Sequence, residues 1–76
     1  MTATCTCPRG IYRHYKGLLY EVMEVARHSE TGELLVVYRA LYGEYGVWAR
    51  PLSMFTGSVE RDGALEPRFA LVQAFD

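Results

Sequence analysis

Leu34-Leu35-Val36-Val37-Tyr38-Arg39-Ala40-Leu41-Tyr42 is apolar on both parities, with Arg39 its only charge. A strand covered on both faces, either central in a sheet or crossing between layers, has this pattern. On its N-terminal side, Glu30-Thr31-Gly32-Glu33 reads as a hairpin loop. Before that, Leu18 to Arg27 carries two periodicities. Leu19, Val22, Met23 and Ala26 form a helical stripe, while Leu18, Tyr20 and Val22 alternate as in a strand. Gly17 and the loop leave only a ten-residue segment between them, which favours the strand. Ile11 to Lys16 is the strand before it.

On the C-terminal side, Gly43-Glu44-Tyr45-Gly46 is a turn and Val47 to Arg50 a short returning strand. Pro51 has no N–H for a ladder, so the strand stops there, and Pro51 to Phe55 suits one turn of helix with proline first. Gly57 to Arg61 is a further strand. Asp62-Gly63 has the sequence of a type I′ hairpin turn, which needs positive φ at both residues. Ala64 and Leu65 begin the return, Pro67 limits it, and Arg68 to Val72 packs the end. The expectation is an all-β fold of five to six antiparallel strands with one short helical turn. So few residues cannot form an immunoglobulin-sized sandwich, but they can form a strongly bent barrel, given the glycines that bending requires. Residues 1–9 read as a flexible tail, and residues 10–76 as a single domain.

Composition narrows the function. Half the residues are hydrophobic, enough for a core in a 76-residue chain without disulfide or metal. The net charge of -1 lacks the basic excess of a typical nucleic-acid binder. Residues 9–50 are neutral to positive, whereas residues 51–76 hold only Arg61 and Arg68 against Glu60, Asp62, Glu66 and Asp76. All basic residues but Lys16 are arginine, which stacks on rings and grips carboxylate or phosphate in a bidentate way. Cys5 and Cys7 are two ligands where a structural zinc needs four, and His14 and His28 complete no usual spacing, so no metal or cofactor is expected. No apolar leader and no membrane-length run follow the start, so the expected location is the cytoplasm.

The strings Tyr12-Arg13-His14-Tyr15-Lys16-Gly17, Tyr20-Glu21-Val22, Ala26-Arg27-His28-Ser29-Glu30, Val36 to Gly43 and Trp48-Ala49-Arg50-Pro51-Leu52-Ser53-Met54-Phe55 resemble a bacterial family of small proteins, domain-of-unknown-function family 1653. The resemblance runs from about Gly10 to Phe69. It implies a bacterial source and an SH3-like barrel, with no established activity and no catalytic residues to carry over.

The residues themselves offer little catalytic chemistry. Ser29 and Ser53 lack a nucleophile elbow, His28-Ser29-Glu30 sits at a turn, and no glycine-rich phosphate loop occurs. A non-enzymatic binding module is therefore expected. Its ligand surface would draw on Tyr12, His14, Lys16, Arg39, Trp48 and Arg50. Tyr12, His14 and Lys16 share one face of a strand, and Trp48 and Arg50 share one face of another, so each strand offers an aromatic beside a cation. The alternatives are structural: His14 as a hydrogen-bonded member of a packed face, Trp48 as core, and Arg39 paired with Glu21 or Glu24. The partner is expected to be a protein or peptide lying across a groove lined by Tyr12, Tyr45 and Trp48. The second reading is single-stranded RNA or DNA, stacked on the rings and held by a basic stripe over Arg13, Lys16, Arg27 and Arg50.

Overall fold

The computed structural model describes residues 7–75. Seven strands and one helical turn follow in chain order: β1 (Gly10–His14), β2 (Leu19–Arg27), β3 (Leu34–Ala40), β4 (Val47–Pro51), α1 (Leu52–Phe55), β5 (Ser58–Arg61), β6 (Ala64–Pro67) and β7 (Phe69–Ala74). Five strands form one antiparallel sheet in the order β4-β3-β2-β1-β7, and β5 and β6 form a separate hairpin. The all-β reading holds, with seven strands in place of five to six.

The first four strands make a meander. Each reversal is set by residues that accept the required backbone. Gly17, at φ 101°, closes the β1–β2 turn, where its N–H donates to the His14 carbonyl at 2.7 Å. Asp62 and Gly63 both take positive φ between β5 and β6, as a type I′ turn demands. Pro51 is the residue preceding α1 and not its first helical residue; its ψ of 137° is still extended.

Two bulges bend the sheet. In β2 the pairing with β3 slips between Val22 and Glu24, leaving Met23 as the extra residue. Val22 faces the core before the slip, and Val25, opposite Val36, faces it afterwards. This one-residue change of phase explains why the segment carries a helical stripe and a strand alternation together. In β7 the pairing with β1 slips at Val72, because Tyr12 opposes Leu71 and Ile11 opposes Gln73. Bulges add twist, and the sheet curls around one concave face.

That face holds the core: Cys7, Tyr12, Val22, Val36, Tyr38, Phe55 and Phe69, with Tyr20, Val25 and Leu52 packed against it. The expected closed barrel does not form. β4 and β7 remain the two edges of an open sheet. After Pro51 the chain turns into α1, and Phe55 fills the space where a ladder would otherwise close. The edges meet through side chains, with the Arg50 guanidinium of β4 lying 5.7 Å from the ring centroid of Phe69 on β7. Residues 1–6 of the expected tail lie outside the described residues, Cys5 among them. The chain enters the structure already packed. Cys7 is buried, its thiol donates to the Tyr12 hydroxyl at 3.6 Å, and that hydroxyl donates to the Pro8 carbonyl at 2.7 Å.

Two substitutions test this architecture. Phe55→Ala removes the ring that fills the gap and is expected to cost about 3–5 kcal/mol. That is comparable with the whole stability of a domain this small, so urea denaturation should show an unfolded or barely folded chain. Gly10 lies against β7 so closely that a Cβ there would overlap the Gln73 carbonyl oxygen. Gly10→Ala should therefore loosen the β1–β7 pairing, read as faster amide exchange at Gln73 and Ala74 than in the unsubstituted chain.

Candidate functional site: an aromatic mouth rimmed by cations

Tyrosine, phenylalanine and histidine rings continue from the core to the surface on the concave face. Phe69 stacks on Phe55 with centroids 4.0 Å apart and planes 6° from parallel. His14 meets Phe69 edge-on at 4.9 Å. Tyr20 meets Tyr38, Phe69 and Tyr42 edge-on, each at 5.5 Å. The hydroxyls of Tyr20 and Tyr42 share a hydrogen bond at 2.6 Å near the surface. Over this ring cluster the Nε of Arg50 donates to the Tyr38 hydroxyl at 3.4 Å.

The electrostatics of the mouth are one-sided. Burial, followed by the charges of Lys16, Arg50 and Arg68, holds the His14 imidazole below its ordinary pKa. All three of those charges are positive. Burial, the hydrogen bond with Tyr42 and the nearby phenols push the Tyr20 hydroxyl up to about 12. The arrangement presents rings, phenol oxygens and guanidinium donors. The described residues hold no group of three or more histidine, cysteine or carboxylate side chains placed to bind a metal.

The six residues expected at a ligand surface are divided by the structure. Arg50 and His14 both lie against Phe69. His14 also accepts the Lys16 backbone N–H on Nδ1 at 3.2 Å, so its packed role and its place at the mouth coexist. Lys16 is exposed at the β1–β2 turn, its Nζ 5.9 Å from the Tyr15 ring centroid.

Trp48 is not core. It lies on the edge strand β4 opposite Tyr38, on the ring-bearing face, with 62% of its surface exposed. Its indole rests beside Gly46, where a Cβ would come within 3.3 Å of Nε1. Tyr12, by contrast, is only 6% exposed and packs edge-on against Phe55, so it belongs to the core and not to a groove with Tyr45 and Trp48. Tyr12 also lies on β1, separated from β4 by the two strands β3 and β2.

Arg39 alternates with the buried Tyr38 and Ala40 and so faces the convex side. It stands opposite Glu21 in the register but forms no ion pair among the described residues; its guanidinium donates to the Tyr45 carbonyl at 3.2 Å. Among the described residues the ion pair is Arg61 with Glu66, at 3.3 Å. His28 serves its turn, with Nδ1 accepting the backbone N–H of Glu30 and Thr31.

Sequence reasoning missed Tyr20, Tyr42 and Phe69 as parts of this site. Tyr20 alternates with Val22 and could have been assigned to the core face. Phe69 reaches the mouth only because β7 returns beside β1, a pairing between distant parts of the chain.

The fold has a known relative. A model for a protein family of unknown function, DUF1653, matches residues 10–71. The chain belongs to the DUF1653 family. A crystal structure of a DUF1653 protein from Bordetella bronchiseptica is 37% identical in sequence and superposes with a TM-score of 0.84, covering 97% of each chain. No curated protein matches the chain. No helix of the described residues is long and apolar enough to cross a membrane.

The Tyr20 hydroxyl yields a prediction. Its folded-state pKa lies above its unfolded value, so the fold retains the proton that the unfolded chain loses on the alkaline side of 10. This contribution is complete below pH 10 and is lost as pH rises from 10 towards 12. Tyr20→Phe should flatten that part of the stability profile, measured by urea denaturation at pH 9, 10 and 11.

Proposed function

We propose that this DUF1653 protein is a non-enzymatic binding module that takes an extended protein segment across its aromatic mouth. The observation carrying this reading is Trp48. A large ring left exposed on an edge strand, beside a continuous ring cluster and an arginine, matches the anchors that dominate peptide recognition. The unpaired outer side of β4 offers backbone groups to an added strand, and Trp48, Tyr42 and Arg50 offer side-chain contacts. An SH3-like parentage fits such a groove, although the sheet here is open. A bacterial setting accords with the source of the DUF1653 relative, and a cytoplasmic one rests on the sequence alone.

Nucleic acid is the weaker alternative. Arg13 alternates with the buried Tyr12 and so faces the convex side, away from Arg50. Arg27 is engaged with the Gly32 carbonyl in the β2–β3 loop at 2.8 Å. The four cations of the expected basic stripe therefore do not line one track, and a net charge of -1 supplies little long-range attraction for a polyanion.

Trp48 is the chain's only tryptophan, so its fluorescence reports directly on the site. A peptide library should contain members that shift its emission saturably. Trp48→Ala should weaken those members by about ten-fold or more while changing stability by no more than about 0.5 kcal/mol. Saturable quenching by single-stranded RNA or DNA, with no response to any peptide, would overturn the reading.

A further inference from the structure

β7 is the second edge of the sheet, and from Phe69 to Phe75 its sequence has no charge and no proline. Ala70 to Ala74 are all exposed, and Leu71, Val72 and the following Phe75 leave 47%, 50% and 41% of their surface open. Native edges are commonly blunted by lysine, proline or a covering segment, because unpaired N–H and C=O groups template another strand. The device present here is the bulge at Val72.

The hydrogen bonds fix which backbone groups of β7 remain open. His14 donates to the Leu18 carbonyl, so the even-numbered residues of β1 turn to β2 and the odd-numbered ones to β7. The Tyr15 N–H on the Arg68 carbonyl and the Phe75 N–H on the Arg9 carbonyl agree with this. Ala70, Gln73 and Phe75 therefore face β1, across from Arg13, Ile11 and Arg9, and the N–H and C=O groups of Leu71 and Ala74 face outward. In a regular strand two residues at this odd spacing would face opposite edges. The bulge turns both outward.

This pattern matches itself. Turned end for end about Gln73, β7 places Leu71 opposite Ala74 of a second copy, and Ala74 opposite its Leu71, with Val72 bulged out of the count in both strands. Each such pair brings outward N–H and C=O groups face to face, as an antiparallel ladder requires. The sizes also match. Leu71 meets the small Ala74, Ala70 meets the large Phe75, and Gln73 meets the second copy's Gln73, two amides that can bond to each other. No like charges come together along the strand.

We propose that β7 pairs antiparallel with β7 of a second copy of this chain, about a two-fold axis at Gln73, joining the two five-stranded sheets edge to edge. The contact is one strand pair, below the roughly 800 Å² per partner of a standard interface, so the dimer is weak and reversible. A two-fold pairing closes on itself and leaves both β4 edges, with Trp48, at the far ends of the joined sheet. The dimer does not depend on what Trp48 binds.

The test measures sedimentation and NMR diffusion of the whole chain from about 10 μM to about 1 mM, the range in which so small a contact associates. The Leu71 amide should exchange more slowly as concentration rises, while the Gln73 amide, already turned to β1, should change least. Gln73→Lys sets two like charges across the axis, and Gln73→Glu does the same with the other sign. Each alone should weaken the dimer by about five-fold, and an equimolar mixture should associate more tightly than either alone by about the same factor. Gln73 is exposed, so both variants should fold. If either does not, the concentration dependence of Leu71 exchange in the unsubstituted chain decides.

A chain that stays monomeric to about 1 mM would overturn the proposal. Association unaltered by both substitutions and by their mixture would overturn it too, since the contact would then lie elsewhere. Protection of Leu71 that is independent of concentration and appears only with an added peptide would assign the edge to a different partner and refute the dimer.

Discussion

The parallel stack of Phe55 on Phe69 is the contact on which the rest of this structure depends. One ring comes from a single helical turn after β4, the other from the first residue of β7. These are the two edges of the sheet, and no ladder joins them. The stack does the work of a missing strand pair by holding the sheet curled. Tyr12 and Tyr38 pack around Phe55, and His14, Tyr20 and Arg50 around Phe69. A buried phenylalanine contributes about 1.5–3 kcal/mol, and an aromatic pair roughly 0.5–1.5 beyond its area. Against a stability at the low end of about 5–15 kcal/mol, this pair alone is a substantial share.

The core is built of rings with polar ends, and this joins stability to function. Tyr12 turns its hydroxyl to the Pro8 carbonyl, Tyr38 turns its own to Arg50, and Tyr20 to Tyr42. Each ring is packed by its body and satisfied at its tip, as a buried phenol must be. At the mouth the tips become the site. Loss of the Phe69 or Tyr20 ring would therefore disturb the fold, whereas Trp48, Tyr42 and Lys16 are exposed and can be changed with function as the main readout.

How far the sequence could be read follows from how local each determinant is. The Asp62-Gly63 turn, the strand around Val36 and the helical turn after Pro51 depend on neighbours in the chain, and all were readable. So was the family, because its motifs are long strings. Tyr12 was expected beside Trp48 at one ligand surface, and the structure buries the first and exposes the second for a non-local reason. Both point to the concave face, as alternation requires. Whether that face is covered depends on strand order: Tyr12 lies under Phe55, while Trp48 lies on an edge. Closure failed as an expectation for a related reason, since the length of a segment does not reveal that its helical turn will wedge between the edges. Arg39 shows the limit of pairing arguments. Its predicted partner Glu21 is directly opposite in the register, yet the guanidinium finds a turn carbonyl instead.

Net charge was the least informative quantity, and the fold explains why. Glu21 alternates with the buried Val22, and Glu24 opposes Val37, so both carboxylates face the convex side with Arg13 and Arg39. Glu30, Glu33 and Glu44 lie in loops, and Glu66 is held by Arg61 in the β5–β6 hairpin. On the concave side Arg50 lies over Phe69, and the charges of Lys16, Arg50 and Arg68 all act on the His14 imidazole. A chain whose charges nearly cancel thus keeps acidic and basic residues together on its convex face, while the charges acting on one imidazole are all positive. A field confined to one mouth acts over roughly a Debye length, about 8–10 Å at physiological salt. It is too short in reach to draw in a polyanion from solution.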